Sequence, residues 1–83
     1  MDTETRIAVV SIIVENAEET AELNDIIHEY AQYVVGRMGI PYRQKGINII
    51  SLVLDAPQNA ISTLSGRIGR LDGVTSKVAY AKV

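Results

Sequence analysis

The 83 residues include no cysteine, no tryptophan and no phenylalanine, and a single histidine, His28. Without cysteine there are no disulfides, no thiolate metal centres and no cysteine-held iron–sulfur cluster. With one histidine, a tight transition-metal site inside one subunit lacks ligands, so no metal and no cofactor is expected. Long apolar runs are missing too. The longest, such as residues 7–10, are four residues, far short of the roughly 20 residues a membrane-crossing helix needs. The first residues, MDTE, carry no basic leader pattern. The chain therefore reads as soluble and cytoplasmic, with no membrane association expected.

What remains is a short chain with a substantial apolar fraction, 47%. That is globular composition, and it fits one domain over residues 1–83, with residues 1–5 expected to be flexible. A domain this small buries a modest core and usually needs help from disulfides, a metal or association. The first two are excluded, which leaves oligomerisation. The net charge is only −2, but eight of the ten acids lie within residues 1–30 and seven of the eight bases within 31–83. An acidic first helix and a basic second half can dock on each other or on a neighbouring subunit; a solvated acidic helix face explains the first cluster more simply.

Residues 6–14 read as a strand that is apolar on both faces: Ile7, Val9 and Ile13 one way, Ala8, Val10, Ile12 and Val14 the other. Residues 47–55 repeat the pattern, with Ile47, Ile49 and Val53 opposed to Ile50, Leu52 and Leu54. Two apolar faces call for cover on both sides, so these strands are expected to be central. Asn16 is placed to cap a first helix, with Glu19 three residues on as a capping-box partner. Leu23, Ile26, Ile27 and Tyr30 form its apolar stripe. Asp55-Ala56-Pro57 opens a second helix with stripe Ile61, Leu64, Ile68 and Leu71, ended by Asp72-Gly73, where glycine suits a left-handed cap. Gly66 and Gly69 lie within this helix; close packing against another backbone would justify them, and a loosened C-terminal turn is the alternative. Residues 32–38 and 74–82 supply two further strands, the last carrying Val74, Val78 and Tyr80 on one face. The order is βαββαβ, an α+β, ferredoxin-like plan: a four-stranded antiparallel sheet with both helices on one face.

Catalytic signatures are weak. His28 sits on an acidic helix with no nucleophile identifiable by spacing. The carboxylate pairs Glu18/Glu22 and Asp25/Glu29 have surface i, i+4 spacing. Neither helix start carries the glycines of a phosphate cradle. An acylphosphatase-like enzyme on this plan lacks a recognisable Arg/Asn constellation at the first strand–helix turn. No catalytic residues and no enzymatic activity are expected. Direct nucleic-acid binding is not expected either, because the first and third strands lack the base-stacking aromatics of RNA-recognition modules and the isoelectric point is about 5.2.

The segment GRMGIPYRQKG, residues 36–46, gathers three bases, an aromatic and three glycines between two strands. Read as a turn region from Gly39 to Gly46, it is either a solvated β-connection or a lip that binds a small anionic effector through Arg37, Arg43 or Lys45, with Tyr42 as a wall. In the second case Gly36, Gly39 and Gly46 would let the chain bend so that the bases converge, and Pro41 would stiffen the lip.

The runs HEYAQYVVGRMGIPYRQKGINIISLVLDAP and LSGRIGRLDGV resemble the small regulators associated with the iron-only hydrogenase system. That family is similar to ACT domains and to the C-terminal metal-sensing domain of the nickel-responsive repressor, and the resemblance covers nearly the whole chain. It implies a ligand-responsive fold that pairs through its sheets as a dimer or tetramer. The repressor's nickel-ligand positions fall near Ile40, Tyr42 and Asn48, with only His28 near a matching histidine, so nickel binding is not implied. Glu15-Asn16-Ala17 stands where amino-acid-binding ACT domains commonly have glycine, so an amino-acid site is not implied either. The repressor's DNA-binding domain has no counterpart, so contact with DNA would need a partner. The expectation is a homo-oligomeric regulatory module, transcription- or maturation-linked, sensing a small effector at a subunit interface. The alternative is an assembly protein that binds no ligand.

Overall fold

The computed structural model describes residues 4–82. The expected flexibility of residues 1–5 therefore lies largely outside the described residues. Strand β1 (Arg6–Val14) leads through a one-turn 3-10 helix, Ala17–Glu19, into α1 (Thr20–Glu29). A second 3-10 turn, Ala31–Tyr33, opens β2 (Val34–Tyr42), which returns as β3 (Ile47–Ala56); α2 (Gln58–Gly69) and β4 (Val74–Tyr80) follow. The antiparallel sheet runs β2-β3-β1-β4, so the two doubly apolar strands are central, as their patterns require.

The core lies between one sheet face and the helices. β1 gives it Ala8, Val10, Ile12 and Val14; β3 gives Ile50, Leu52, Leu54 and Ala56. α1 lays down Leu23, Ile26 and Ile27, and α2 lays down Ile61, Leu64 and Ile68. The two central strands thus sort their side chains by the alternation read from sequence. Tyr30 and Leu71 finish the two helical stripes as half-buried residues just past the helix ends. Among the described residues no polar side chain is buried. Uniqueness must come from shape and from the rim.

The rim supplies several ties. Asn16 caps the first turn, its Oδ1 accepting from the Glu18 amide at 3.1 Å. Glu19 does not complete the expected capping box. Its Oε1 accepts instead from the Asp72 amide at 3.1 Å, because the loop after α2 lies alongside and offers an amide that no helix satisfies. The Glu15 amide donates to the Gly73 carbonyl at 2.7 Å in the same place. Gly73 has φ +73°, and a Cβ there would sit 2.9 Å from the Cβ of Asn16, so glycine is required twice over. Pro57 precedes α2 as its cap residue rather than entering its first turn. Across the helices, Arg67 grips Glu29 with both terminal nitrogens, at 2.8 and 3.0 Å, and its Nη1 also reaches the Tyr30 hydroxyl at 3.5 Å. The Glu29 carboxyl is held below its ordinary pKa by that hydrogen bond, and the Arg67 guanidinium is raised by it and by Tyr30. This is one contact of the acidic helix with the basic half of the chain, and the one salt bridge among the described residues.

The largest departure from the sequence reading is in β2. Residues 32 and 33 belong to a 3-10 turn, and the strand runs on through Gly39, Ile40 and Pro41 to Tyr42. The turn is confined to Arg43–Gly46, where Gly46 takes φ +68°. Proline is tolerated because β2 is an edge strand, so its missing N–H is not needed by a further neighbour. A bulge between Val34 and Gly36 adds a second change. It pushes Val35 outward and reverses the alternation, so Val34 and Arg37 share the helix side although they are three residues apart.

Candidate functional site

The open sheet face is built by register. Ile40 pairs with Ile49 and Ile49 with Ile13, a row of isoleucines across β2, β3 and β1. Above it Met38 stands beside Ser51 and Ser11; below it Tyr42 stands beside Ile47. Met38 is 60% exposed, Ile40 51% and Tyr42 42%, and Ile7, Ile13 and Ile49 are also exposed. No described element covers this face. Single exposed aliphatics are ordinary surface, but a contiguous row is the mark of an interaction site.

The four candidate effector residues do not converge as one lip. Tyr42 belongs to the open face, and its hydroxyl donates to Gln44 Oε1 at 3.0 Å. Arg43 and Lys45 lie in the turn beyond it, and Lys45 borders a shallow groove with Glu15, Tyr42, Ile47 and Ile49. Arg37 is on the other side of the sheet, opposite Leu52, where its Nη2 donates to Asn24 Oδ1 of α1 at 2.7 Å. The physical reason is the bulge together with the continued strand: Gly36 and Gly39 are extended residues of β2 and do not bend the chain toward a common point.

On that helix side, Arg37 stands between two depressions. One is a cleft of about 280 Å³ between the start of α1 and the outer half of the β2–β3 hairpin, walled by Val14, Leu23, Pro41 and Ile50. Thr20, Asn48 and Arg37 are its polar lining residues. The other is a wider groove bordered by Asn24, Ile27, His28, Ala31 and Val34. The apolar cleft was not foreseen from sequence. Its signal is the pair Gly39 and Pro41, which leave little side chain at alternating positions of β2, a stretch whose glycines and proline read from sequence as a turn.

For metals and membranes the structure is plain. Among the described residues no group of three or more His, Asp or Glu side chains could hold a metal ion, and no helix is long and apolar enough to cross a membrane.

Residues 6–78 match the TM1266-like family, described as "Iron-only hydrogenase system regulator, putative". The chain belongs to that family. A solved structure of uncharacterized protein TM1266 from Thermotoga maritima has the same fold, with a TM-score of 0.91 at 30% sequence identity, covering 95% of this chain and 100% of that one. No curated protein matches the chain. In this chain the cleft and the open face are two surfaces with binding potential.

Proposed function

We propose that the chain is a non-catalytic regulatory module of an iron-only hydrogenase system, working as a homo-oligomer joined through its open sheet face and responding to a small anionic effector held where subunits meet. Family membership supports the regulatory part. The observation that carries the oligomer is the isoleucine row Ile13–Ile49–Ile40 flanked by Met38 and Tyr42. Fully burying an aliphatic side chain is worth about 1.5–3 kcal/mol. Several such residues on each copy can offset an association cost of about 4–15 kcal/mol. A second copy of the same face is the simplest cover, and a dimer or a tetramer would satisfy it.

The cations support an anionic effector. Arg43 and Lys45 flank Tyr42 at the edge of the open face, so an effector there would touch a neighbouring copy as well; Arg37 serves the opposite side. Such a module reports through its assembly or through a partner on transcription or maturation of the hydrogenase system.

Two measurements test the reading. Light scattering at micromolar concentration is expected to give a multiple of 9.1 kDa; the mass of a single chain would sink it. A thermal-shift panel of metabolites is expected to yield a stabilising ligand, since one present at about 100 times its dissociation constant adds roughly 2.7 kcal/mol. An oligomer with a flat panel would instead favour an assembly protein without a ligand.

A further inference from the structure

The helix-facing side of the central strands is filled by large side chains; the outer half of β2 is not. At Gly39, opposite Ile50, a Cβ would meet nothing within 4 Å. Gly39 does not have a positive φ. Neither backbone conformation nor close approach within the chain calls for glycine here. Glycine inside a strand weakens it, and it commonly marks a place where a ligand or another backbone comes close. The empty layer over Gly39 is the floor of the 280 Å³ cleft. A domain short of core would gain by filling this space with a valine or isoleucine, and does not.

The cleft's charge says what fits. Its walls are aliphatic, from Val14, Leu23, Pro41 and Ile50. At its rim stands Arg37, which no carboxylate pairs among the described residues. Asn24 takes one N–H of its guanidinium and so orients the group, leaving further donors unused. A guanidinium fork tethered to Asn24 beside an apolar hollow suits a carboxylate on an aliphatic body. The volume, about 280 Å³, lies just below the usual range of ligand pockets, which starts at roughly 300 Å³, so the body is small.

We infer that the cleft between α1 and the β2–β3 hairpin binds a small aliphatic monocarboxylate, its carboxylate on Arg37 and its hydrocarbon over Gly39. This rests on the reading of the chain as an effector-responsive module and adds an anion site on the helix side of β2, separate from the Arg43–Lys45 turn.

The test uses 4-methylpentanoate and cyclohexanecarboxylate as probes, with 4-methylpentanamide as the uncharged control. Binding is followed by methyl chemical shifts in the labelled full chain. The acids are expected to shift Val14, Leu23 and Ile50 methyls saturably, and the amide to bind about tenfold more weakly or worse. Arg37→Gln is expected to weaken the acids about as much as amidation does. Gly39→Leu is expected to abolish binding by filling the hollow, and circular dichroism of that variant confirms that it is folded. No saturable shift at millimolar acid overturns the inference, as does undiminished binding to folded Gly39→Leu. Loss of the oligomer in Gly39→Leu, with no acid bound by the wild type, overturns it as well and assigns the hollow to a neighbour's side chain. The scattering mass of the wild type is read separately, so failure of the carboxylate leaves the oligomer test intact.

Discussion

The two faces of the central sheet carry almost the same chemistry and meet different fates. On one face Val10, Ile12, Leu52 and Leu54 are sealed beneath α1 and α2; on the other, Ile13, Ile49 and Ile40 form a row that no described element covers. Hydrophobic alternation therefore says that a face wants cover, not what provides it. The covered face is completed by the chain's own helices. The open face is completed, on our reading, by another copy, and the two should respond oppositely to substitution and to dilution.

The largest effect is expected on the covered face. Leu52 is fully buried at the centre of β3. Leu52→Ala should cost about 2–5 kcal/mol, the usual range for a leucine cavity. For a domain whose total stability is about 5–15 kcal/mol that is a large share, readable as a lower urea midpoint. A loss well under 1 kcal/mol would mean that the helix layer is loosely packed.

The matching change on the open face should act on assembly instead. Ile49→Glu places a charge in the middle of the isoleucine row, where burial is costly without a partner. The expected result is a folded chain whose scattering mass falls toward a single copy, with a dissociation constant at least about tenfold weaker. An unchanged oligomer would move the interface elsewhere and break the contrast between the faces.

A smaller loss is expected where the covered face is closed at its end. Gly73→Ala forces a left-handed alanine, at about 1–2 kcal/mol, and presses its Cβ on Asn16. Urea titration of this variant should show a lower midpoint at constant mass. If the midpoint holds, the loop accommodates the Cβ against Asn16 and glycine is not required there.

How much of this was legible beforehand follows from where the information is local. The two faces of β1 and β3 could be read because strand alternation has a period of two and both strands are regular. Gly73 could be read because a left-handed residue after a helix is a local demand. The side on which Arg37 lies could not, since one extra residue at the Val35 bulge reverses every side chain after it and leaves no mark in composition. The continuation of β2 through Gly39 and Pro41 was hidden for a related reason. Both residues are strand breakers in general, and only the edge position, a property of the whole sheet, makes them acceptable. Glu19 stood at capping-box spacing, but the loop after α2 competed for it from 53 positions away. Local periodicity thus recovered the fold and the open face, while the candidate site depended on one irregularity and on long-range partners.

The smallest expected effect concerns the tie between the helices that cover the closed face. Arg67 holds Glu29 through two hydrogen bonds, and the first consequence is a Glu29 carboxyl below its ordinary pKa. A carboxyl with a lowered folded-state pKa contributes stability that is complete above the unfolded value and disappears as pH falls through the folded one. Glu29→Gln should therefore be slightly less stable than the wild type at neutral pH, and the gap should close on acidification below the ordinary glutamate range. The pair is exposed to solvent and screened, so added salt should narrow the gap at neutral pH as well. Arg67 stays charged throughout, so any change with pH belongs to the carboxyl. Thermal midpoints of the two proteins between pH 3 and 7, with and without salt, decide the matter. A gap that persists unchanged in acid would show that Glu29 acts through packing against Arg67 rather than through its charge. The covered face would then be held by shape at its rim as it is in its core.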